Sequence, residues 1–419
     1  MVGENLDMRP NDWNDYSIEE LTPKNKQYNI VDGPFGSNLK TIHYRKSGIP
    51  IITSGYVTDG KFFAKDYLYV DLVKFKQERR SAVRGGDIVM AKIGERCGAS
   101  AIMPENHEEG ILSGNALKIT IDENRFSKEL IAQILWQHHT VGNFETLRTT
   151  GAQPAISMAN LKKYRIPLPP TKAEQTAIAN ALNDADALIT ALEKLIAKKK
   201  VIKQGAMQEL LRPKAGWKVE KLGDLTKVFT KQTGFDYTAY IKPSLVKTKT
   251  DETIPFIQNK DFNNKWINFN TDHYIPKSVA INFPRILLNE KSLLISISGS
   301  VGNVGIYESK ELAFIGGAVA ILKFKNPSLI DWVWIYLKSE RGQEKLFGST
   351  KSSSHVNLIL DDIRKLEIEF PNEIEQARLA QIFTDMDSEI EALEQKLEKQ
   401  KRIKQGMMQV LLTGKIRLV

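Results

Sequence analysis

The sequence contains little cysteine, no long apolar segment and no export signal. Its single cysteine, Cys97, excludes an intramolecular disulfide and any zinc or iron–sulfur site that needs several cysteines. No run of about 18 apolar residues occurs, so no transmembrane helix is predicted. The N-terminal segment carries Glu4, Asp7 and Asp12 without an apolar stretch, so we expect no signal peptide and a cytoplasmic location.

Residue patterns that carry catalysis are also missing. The segment Gly55 to Lys61 has the glycine spacing of a phosphate-binding loop, but Phe62 replaces the hydroxyl residue that would hold magnesium. Asn326-Pro327-Ser328 begins like the catalytic motif of adenine methyltransferases but lacks its second proline and its aromatic residue. The six histidines are scattered, and the adjacent His138 and His139 are predicted to be surface residues. We therefore expect neither a catalytic nor a metal centre.

The charge of the chain is small and unevenly distributed. The 419 residues include 59 basic and 50 acidic ones, a net charge of +9 that permits nucleic-acid binding without requiring it. Residues 171–211 and 371–419 carry net charges of +1 and zero, whereas residues 1–170 carry +2 and residues 212–370 carry +6. If nucleic acid binds, we expect it at the two longer segments, where Lys and Arg displace counterions from phosphates.

The chain repeats itself. The segment Pro170 to Leu211 matches Pro371 to Leu412 at a shift of 201 residues without a gap. Identical pairs include Glu174 and Glu375, Asp186 and Asp387, Lys203 and Lys404, and Gly205 and Gly406. The preceding segments match less closely, at shifts of 202–205, through Trp13 and Trp217, Gly94 and Gly299, and Gly114 and Gly316. The chain therefore consists of a globular segment and a 40-residue segment, each present twice.

Each copy of the shorter segment is predicted to be one long helix. Thr171-x-x-Glu174 has the form of a capping box, and Asn372-x-x-Glu375 offers an N-cap asparagine with glutamate at the same spacing. Pro213 and Gly414 end the two helices. About 38 residues at 1.5 Å per residue give a rod of about 57 Å.

Both predicted helices carry an apolar stripe with alternating steps of three and four, the pattern of a coiled-coil seam. Since a lone helix of this length needs a partner for such a stripe, we expect the two copies to pair. Gly205 and Gly406 lie within the pattern and favour either close helix packing or contact with another subunit. The predicted seam and subunit-contact residues are Leu188, Leu192, Leu195, Ile202, Gly205, Ile390, Leu393, Leu397, Ile403 and Gly406.

The globular segments are predicted to be α+β. Short runs rich in β-branched residues and bounded by Gly, Pro and Asp indicate strands. They are Ile49 to Val57, Asp87 to Ile93, Asn115 to Ile121, Ile254 to Gln258, Leu293 to Ile297 and Ala318 to Phe324. Each segment also has a helical stretch, near Lys128 to His138 and Leu329 to Glu340.

Six loops in these segments combine turn residues, basic side chains and side-chain amides. Lys and Arg suit guanine edges or phosphates, and Asn and Gln suit adenine edges. Each single loop is equally well explained as an ordinary polar loop, but corresponding loops recur in both repeats with different sequences, which favours two different recognition events. The candidate DNA-binding residues are Gly36, Ser37, Asn38, Lys40, Lys92, Arg96, Arg148, Gln153, Lys231, Gln232, Ser300, Asn303, Lys351, Ser352, Ser353 and His355.

Several of these motifs resemble those of type I restriction-modification specificity subunits. They are Asp32-Gly33-Pro34-Phe35-Gly36-Ser37, the stretch Gln153 to Pro170, and the Glu-Gln and Lys-Gln-Gly segments of both long helices. The resemblance covers nearly the whole chain. The second globular segment departs from it at the first motif, where Lys231-Gln232-Thr233-Gly234 stands instead.

The resemblance implies two target recognition domains, residues 1–170 and 212–370, and two conserved helices, residues 171–211 and 371–414, that form an antiparallel coiled coil. It implies a non-catalytic, DNA-reading subunit of a host-defence complex. The implied partners are double-stranded DNA, two methyltransferase subunits, and restriction subunits with translocase and nuclease activity. This chain then binds no cofactor, because S-adenosylmethionine, ATP and magnesium belong to the partner subunits.

Two antiparallel helices that each follow a globular segment relate those segments by a pseudo-twofold axis, as the two strands of DNA are related. Since the segments differ in sequence, we expect an asymmetric bipartite target whose spacer is set by the helices. The alternatives are a coiled-coil protein scaffold, which would show no salt-sensitive DNA binding, and a stand-alone nuclease or methyltransferase. The latter would show turnover when the chain alone is incubated with DNA, S-adenosylmethionine and magnesium.

Overall fold

The computed structural model describes residues 10, 12–149, 153–348 and 357–418. The chain divides into two compact units, residues 1–192 with 396–419 and residues 193–395. Each unit combines short strands, short helices and one part of each long helix, which confirms the predicted α+β class. Within the described residues, no helix is both long enough and apolar enough to span a bilayer.

The first unit contains two four-stranded sheets and two strand pairs. One sheet has the order Tyr69–Val70, Ile49–Ile52, Gly110–Leu112 and Ala82–Val83. The other has the order Ile30–Asp32, Ala116–Ile119, Ile88–Ala91 and Ser100–Ile102. The pairs are Asn14–Ser17 with Arg165–Leu168, and Val57–Thr58 with Lys61–Phe62. Neighbouring strands are antiparallel except where Ile111 lies opposite Ile51 in a parallel pair.

A helix packs on the second of these sheets and forms the main core of the first unit. It begins after Ser127, whose hydroxyl accepts a hydrogen bond from the Leu130 N–H, and its Ile131 is buried in the same core cluster as Leu117 of the sheet. The short α-helices of this unit are Leu72–Gln77, Lys128–Thr140 and Met158–Lys163. Single helical turns lie at Glu19–Leu21, Gly36–Asn38, Thr41–His43, Ser54–Tyr56, Arg79–Ser81 and Asn143–Leu147.

The second unit contains a six-stranded sheet, a four-stranded sheet and a strand pair. The larger sheet has the order Thr226–Lys231, Val319–Phe324, Ser292–Ser296, Val304–Tyr307, Trp266–Ile267 and Phe262–Asn263. The smaller has the order Tyr274–Pro276, Thr253–Ile257, Ala313–Ile315 and Leu287–Leu288, and the pair is Lys218–Lys221 with Glu367–Phe370. The first four strands of the larger sheet repeat the strand order of the Ile30–Asp32 sheet, so the internal repeat extends to the topology.

The helices of the second unit cover the larger sheet. Trp332 and Tyr336 are buried on the helix Ile330–Lys338, and the Trp332 indole donates to the Glu369 carbonyl at 2.9 Å. The short α-helices are Gly234–Asp236, Lys277–Ala280, Ile330–Lys338, Glu340–Phe347 and Leu360–Arg364. Single turns, one of them π-helical, lie at Tyr237–Ile241, Lys242–Ser244, Asn259–Asp261 and Pro327–Leu329. The predicted strands and helices are present in both globular segments, except that the range Ile49 to Val57 is a strand only to Ile52 and then forms the turn Ser54–Tyr56.

The two long helices are Lys172–Leu210 and Glu373–Leu411, each of 39 residues. Thr171 Oγ1 accepts from the Glu174 N–H at 3.2 Å, and Asn372 Oδ1 accepts from the Glu375 N–H at 2.8 Å. The capping box predicted for Thr171 is thus only half formed, because the Glu174 carboxylate instead accepts both of its bonds from the Arg417 guanidinium.

The glutamines that follow these glutamates fasten each helix to its globular segment. The Gln175 amide donates to the Pro169 carbonyl and accepts from the Ser127 N–H, both at 3.0 Å. The Gln376 amide donates to the Pro371 carbonyl at 2.8 Å. The repeated Glu-Gln segment therefore fixes the start of each long helix.

Within each unit the segments of the two long helices run antiparallel. In the second unit Lys203 pairs with Asp387, and Lys199 Nζ lies 2.6 Å from Glu389 Oε1. In the first unit Lys404 Nζ lies 2.6 Å from Asp186 Oδ1. Since each partner lies 201 positions from its counterpart, the repeat forms the same ion pair twice.

The observed seam differs from the predicted one. Leu192 and Ile390 are buried and Leu393 and Leu397 are half-buried, as a seam requires. Leu188, Leu195, Ile202 and Ile403 are instead 41%, 39%, 46% and 42% exposed. The reason is rotational: Leu195 precedes the buried Ile196, and one residue turns an α-helix by about 100°.

Gly205 and Gly406 do not mediate close helix packing. Both are exposed, and a Cβ atom added at either one would meet no atom within 4 Å among the described residues. Close helix packing, one of the two roles predicted for these glycines, is therefore wrong for this chain. Contact with another subunit stays a prediction.

Candidate DNA interface

Three predicted loops of the first unit meet at one end of the Ile30–Asp32 sheet. Residues 32–40, 92–96, 148–149 and 153–156 are called the first loop cluster. The Gly94 N–H donates to the Pro154 carbonyl at 2.9 Å, and the Ile156 N–H donates to the Lys92 carbonyl at 2.9 Å. These bonds connect residues 92–96 to residues 153–156. The Lys92 side chain connects residues 92–96 to residues 32–40.

Lys92 stabilises the first loop cluster from inside. Its Nζ donates to Asp32 Oδ2 at 2.5 Å and lies 4.1 Å from the centre of the Phe35 ring. Asp32 also pairs with Arg80 at 3.3 Å. Because the Lys92 side chain is mostly buried and its charge is neutralised, it holds the loop in place and is not exposed for DNA.

The Arg148 side chain likewise forms its bonds within the protein. Its guanidinium pairs with Glu145 at 2.5 Å and donates to the Cys97 carbonyl at 3.2 Å. Burial raises the pKa of the Cys97 thiol, whose sulfur donates to the Lys92 carbonyl at 3.1 Å. Cys97 is therefore a packing residue beneath the cluster.

Most of the remaining candidates of the first loop cluster face solvent. Asn38, Lys40, Arg96 and Gln153 are exposed, and Gly36 adopts a φ of 57° that favours glycine. These side chains offer two cations and two amides, the groups that bind phosphates, guanine and adenine. The side chain of Ser37 lies outside the described parts of the structure.

Three loops also meet in the second unit. Residues 231–236, 298–303 and 357–361 are called the second loop cluster. Lys231 and Ser298 line one cleft with Leu358, and the Leu358 N–H donates to the Ile297 carbonyl at 3.0 Å. The candidates Lys351, Ser352, Ser353 and His355 belong to residues 349–356, which lie outside the described part of the chain.

The loop between Ser296 and Asn303 is held by its own hydrogen bonds. The Ser296 hydroxyl donates to the Ser300 carbonyl at 2.5 Å and accepts from the Asn303 N–H at 2.9 Å. Gly299 and Gly302 have φ values of 76° and 85°, as this tight turn requires. The side chains of Ser300 and Asn303 remain at the surface.

Lys231 and Gln232 have different environments. Lys231 is exposed, whereas Gln232 is only 3% exposed and neither of its amide atoms has a hydrogen-bond partner among the described residues. A buried amide without partners is uncommon in folded proteins and marks a position where a ligand or water supplies the bonds. The sequence identifies Gln232 as polar but does not reveal this burial.

The prediction that His138 is a surface residue is wrong. Its ring packs against Phe144 and Tyr164, and the Tyr164 hydroxyl lies 2.9 Å from His138 Nδ1. Burial lowers the pKa of His138 to about 4, which keeps the ring neutral at physiological pH. His138 therefore has a structural role in the first unit, where its ring packs between aromatic side chains.

Comparison with known proteins agrees with this architecture. A sequence model of the family described as type I restriction modification DNA specificity domain matches residues 10–204 and 214–402. A putative type I restriction enzyme MjaX specificity subunit from Methanocaldococcus jannaschii is 27% identical over 391 residues, which cover 89% of this chain and 88% of that one. The MjaVIII specificity subunit of the same organism is 23% identical and covers 88% and 86%.

Two solved structures share the fold. One, from a study of complex assembly and conformational transition of the type I R-M system, has a TM-score of 0.59 at 15% identity and covers 97% of this chain and 99% of that one. The other, the S subunit of a type I restriction-modification system from M. genitalium, has a TM-score of 0.56 at 14% identity and covers 97% and 98%.

Proposed function

Because the chain belongs to the family of type I restriction-modification DNA specificity subunits, we propose that its two units read the two halves of one asymmetric, bipartite DNA target. As a specificity subunit, the chain recognises the DNA target and is not itself catalytic. In the proposed division of labour, partner subunits bind S-adenosylmethionine, ATP and magnesium and methylate adenine or cleave DNA, while this chain binds no cofactor.

One observation carries this proposal. The same strand order presents a loop cluster in each unit, but the exposed side chains differ between the clusters. The first cluster exposes Asn38, Lys40 and Arg96, and the second exposes Lys231 and Asn303. Equivalent scaffolds with different contact groups suit two half-sites of different sequence.

Charge removal in each cluster tests the proposal. In a complex with the methyltransferase subunits, Arg96→Ala and Lys231→Ala should each weaken DNA binding and lower the salt dependence by about one phosphate contact if they bind backbone. If they read guanine instead, specificity relaxes in one half-site by about 1–3 kcal/mol. Fluorescence anisotropy at several salt concentrations distinguishes these results.

The matched control is Lys310→Ala, which removes an exposed lysine at the end of the strand Val304–Tyr307 that lies away from residues 298–303, and it should leave binding unchanged. Binding of the unsubstituted complex that does not depend on salt would contradict DNA recognition by these clusters. Equal loss in all three variants would mean that only overall charge matters.

We further propose that the long helices recruit the methyltransferase subunits and, through them, the restriction subunits. The support is the set of apolar and small residues that the helices leave exposed. They are Leu188, Leu195, Ile202, Gly205, Ile403 and Gly406. Exposed apolar stripes on helices are suited to packing against helices of another protein.

The same helices are proposed to set the spacer of the DNA target. An insertion of seven residues in each long helix lengthens it by about 10.5 Å. The insertions are placed between Leu188 and Lys200 in the first helix and between Glu389 and Lys401 in the second. At 3.4 Å per base pair the spacer should grow by about three base pairs. Mapping methylated adenines measures the spacer, and an unchanged spacer in an active complex would contradict this role.

A further inference from the structure

An aromatic residue occupies the same position in both loop clusters, counted along the sequence from the paired strands, although Phe35 precedes the turn Gly36–Asn38 and Phe235 lies within the helix Gly234–Asp236. Asp32 lies opposite Leu117 in the first unit, and Lys231 lies opposite Ala320 in the second. In the sequence repeat Leu117 corresponds to Val319. Continuing the pairing of Lys231 with Ala320 by one residue places Gln232 opposite Val319. Asp32 and Gln232 are therefore equivalent, and three residues further on each chain segment has a phenylalanine.

These two residues, Phe35 and Phe235, are both exposed. Phe35 is 43% exposed, and the ammonium of Lys92 lies over its ring. Phe235 is 72% exposed and forms an edge-to-face ring contact with Tyr240, with centroids 6.1 Å apart. Neither ring belongs to an apolar core cluster of its unit, so core packing does not explain an aromatic side chain at either position.

The residues around the phenylalanines differ between the repeats, whereas the aromatic ring does not. Asp32 is a carboxylate bound to two cations, and its equivalent Gln232 is a buried amide. Gly36 is likewise replaced by Asp236. A role that both half-sites share is therefore indicated for the ring. An aromatic side chain inserted at an unstacked base step of the duplex contacts a base face, and every base has such a face.

We infer that Phe35 and Phe235 are base-contacting residues, each placing its ring against bases of its own half-site. This inference rests on the proposed function. The neighbouring side chains supply the sequence-dependent hydrogen bonds, and the rings supply apolar contact that depends little on sequence. Lys92 fixes the Phe35 ring through Asp32, whereas Tyr240 supports Phe235 at its edge.

The experiment uses the complex of the full chain with its methyltransferase subunits and a DNA duplex carrying the target found by methylation mapping. Phe35→Ala and Phe235→Ala should each weaken binding on the order of tenfold, as loss of one base–aromatic contact does. The salt dependence should not change, because no phosphate contact is lost. Phe35→Tyr and Phe235→Tyr should restore most of the affinity.

A fluorescent base analogue placed in one half-site at a time adds a local readout. Phe35→Ala should change its emission only in the first half-site and Phe235→Ala only in the second. Val73→Ala, at an exposed apolar residue of the helix Leu72–Gln77, is the control. Unchanged affinity in both alanine variants, or an altered salt dependence, would overturn the inference, whereas absence of target binding by the unsubstituted complex would refute the proposed function itself.

Discussion

At the scale of single residues, several basic side chains have structural partners that the sequence does not reveal. Lys92 and Arg148 have the residue type and the loop position expected of DNA-binding groups. The structure instead pairs Lys92 with Asp32, sixty positions away, and pairs Arg148 with Glu145. Both still hold the first loop cluster in place. Lys92 connects Asp32 to Phe35, and Arg148 donates a hydrogen bond to the Cys97 carbonyl.

The half-buried imidazole of His138 should make stability depend on pH. Its pKa is lowered to about 4 in the folded protein, so the folded ring stays neutral while the unfolded ring takes a proton below about 6.5. This contribution is fully present above pH 6.5 and is lost as the pH falls through about 4. The expected loss of unfolding free energy reaches about 3 kcal/mol.

Urea denaturation of the full chain between pH 4 and pH 7.5 measures the effect. His138→Gln should be less stable than the unsubstituted chain at pH 7.5 and should show a flatter pH dependence. His43→Gln, in the turn Thr41–His43 outside the apolar core clusters, is the matched control and should keep the original slope. Parallel pH curves for all three proteins would contradict the assignment of this slope to His138.

At the scale of secondary structure, periodicity and capping residues predict much of the architecture. The long helices start after Thr171 and Asn372 because those side chains accept free backbone N–H groups. The exposed face of each helix was not predictable, because Leu188 and Leu195 differ from true seam residues only by their rotation about the helix axis. That rotation is set by the packing of each helix against its own globular segment.

The ion pairs between the long helices should contribute equally in the two units. Asp186 with Lys404 and Asp387 with Lys203 are partly exposed pairs related by the repeat. Double-mutant cycles with alanine should give coupling energies of about 0.5–1 kcal/mol for each pair, as is usual for partly exposed ion pairs. Urea denaturation provides the free energies.

Asp184 supplies the control for this cycle. It lies two positions before Asp186 and is exposed, so it points to a different side of the helix. The pair Asp184→Ala and Lys404→Ala should show almost no coupling. Coupling as large as that of Asp186 with Lys404 would indicate general charge effects and no specific contact.

At the scale of the whole molecule, the repeat links the sequence to the function. It is visible in the sequence, in the strand order of the two units and in their shared ion pair. The target sequence is not visible at any of these levels, because Asn38, Arg96 or Lys231 can each bind more than one base or phosphate. Geometry in the DNA complex decides among those contacts.

In the proposed function, the two units read two different half-sites of one target. The most direct test is to map methylated adenines in host DNA with the chain present, deleted, and restored on a plasmid. We predict one bipartite motif with two different halves and a fixed spacer, which disappears on deletion and returns on restoration. A motif that is continuous, or one that persists after deletion of the chain, would contradict the account.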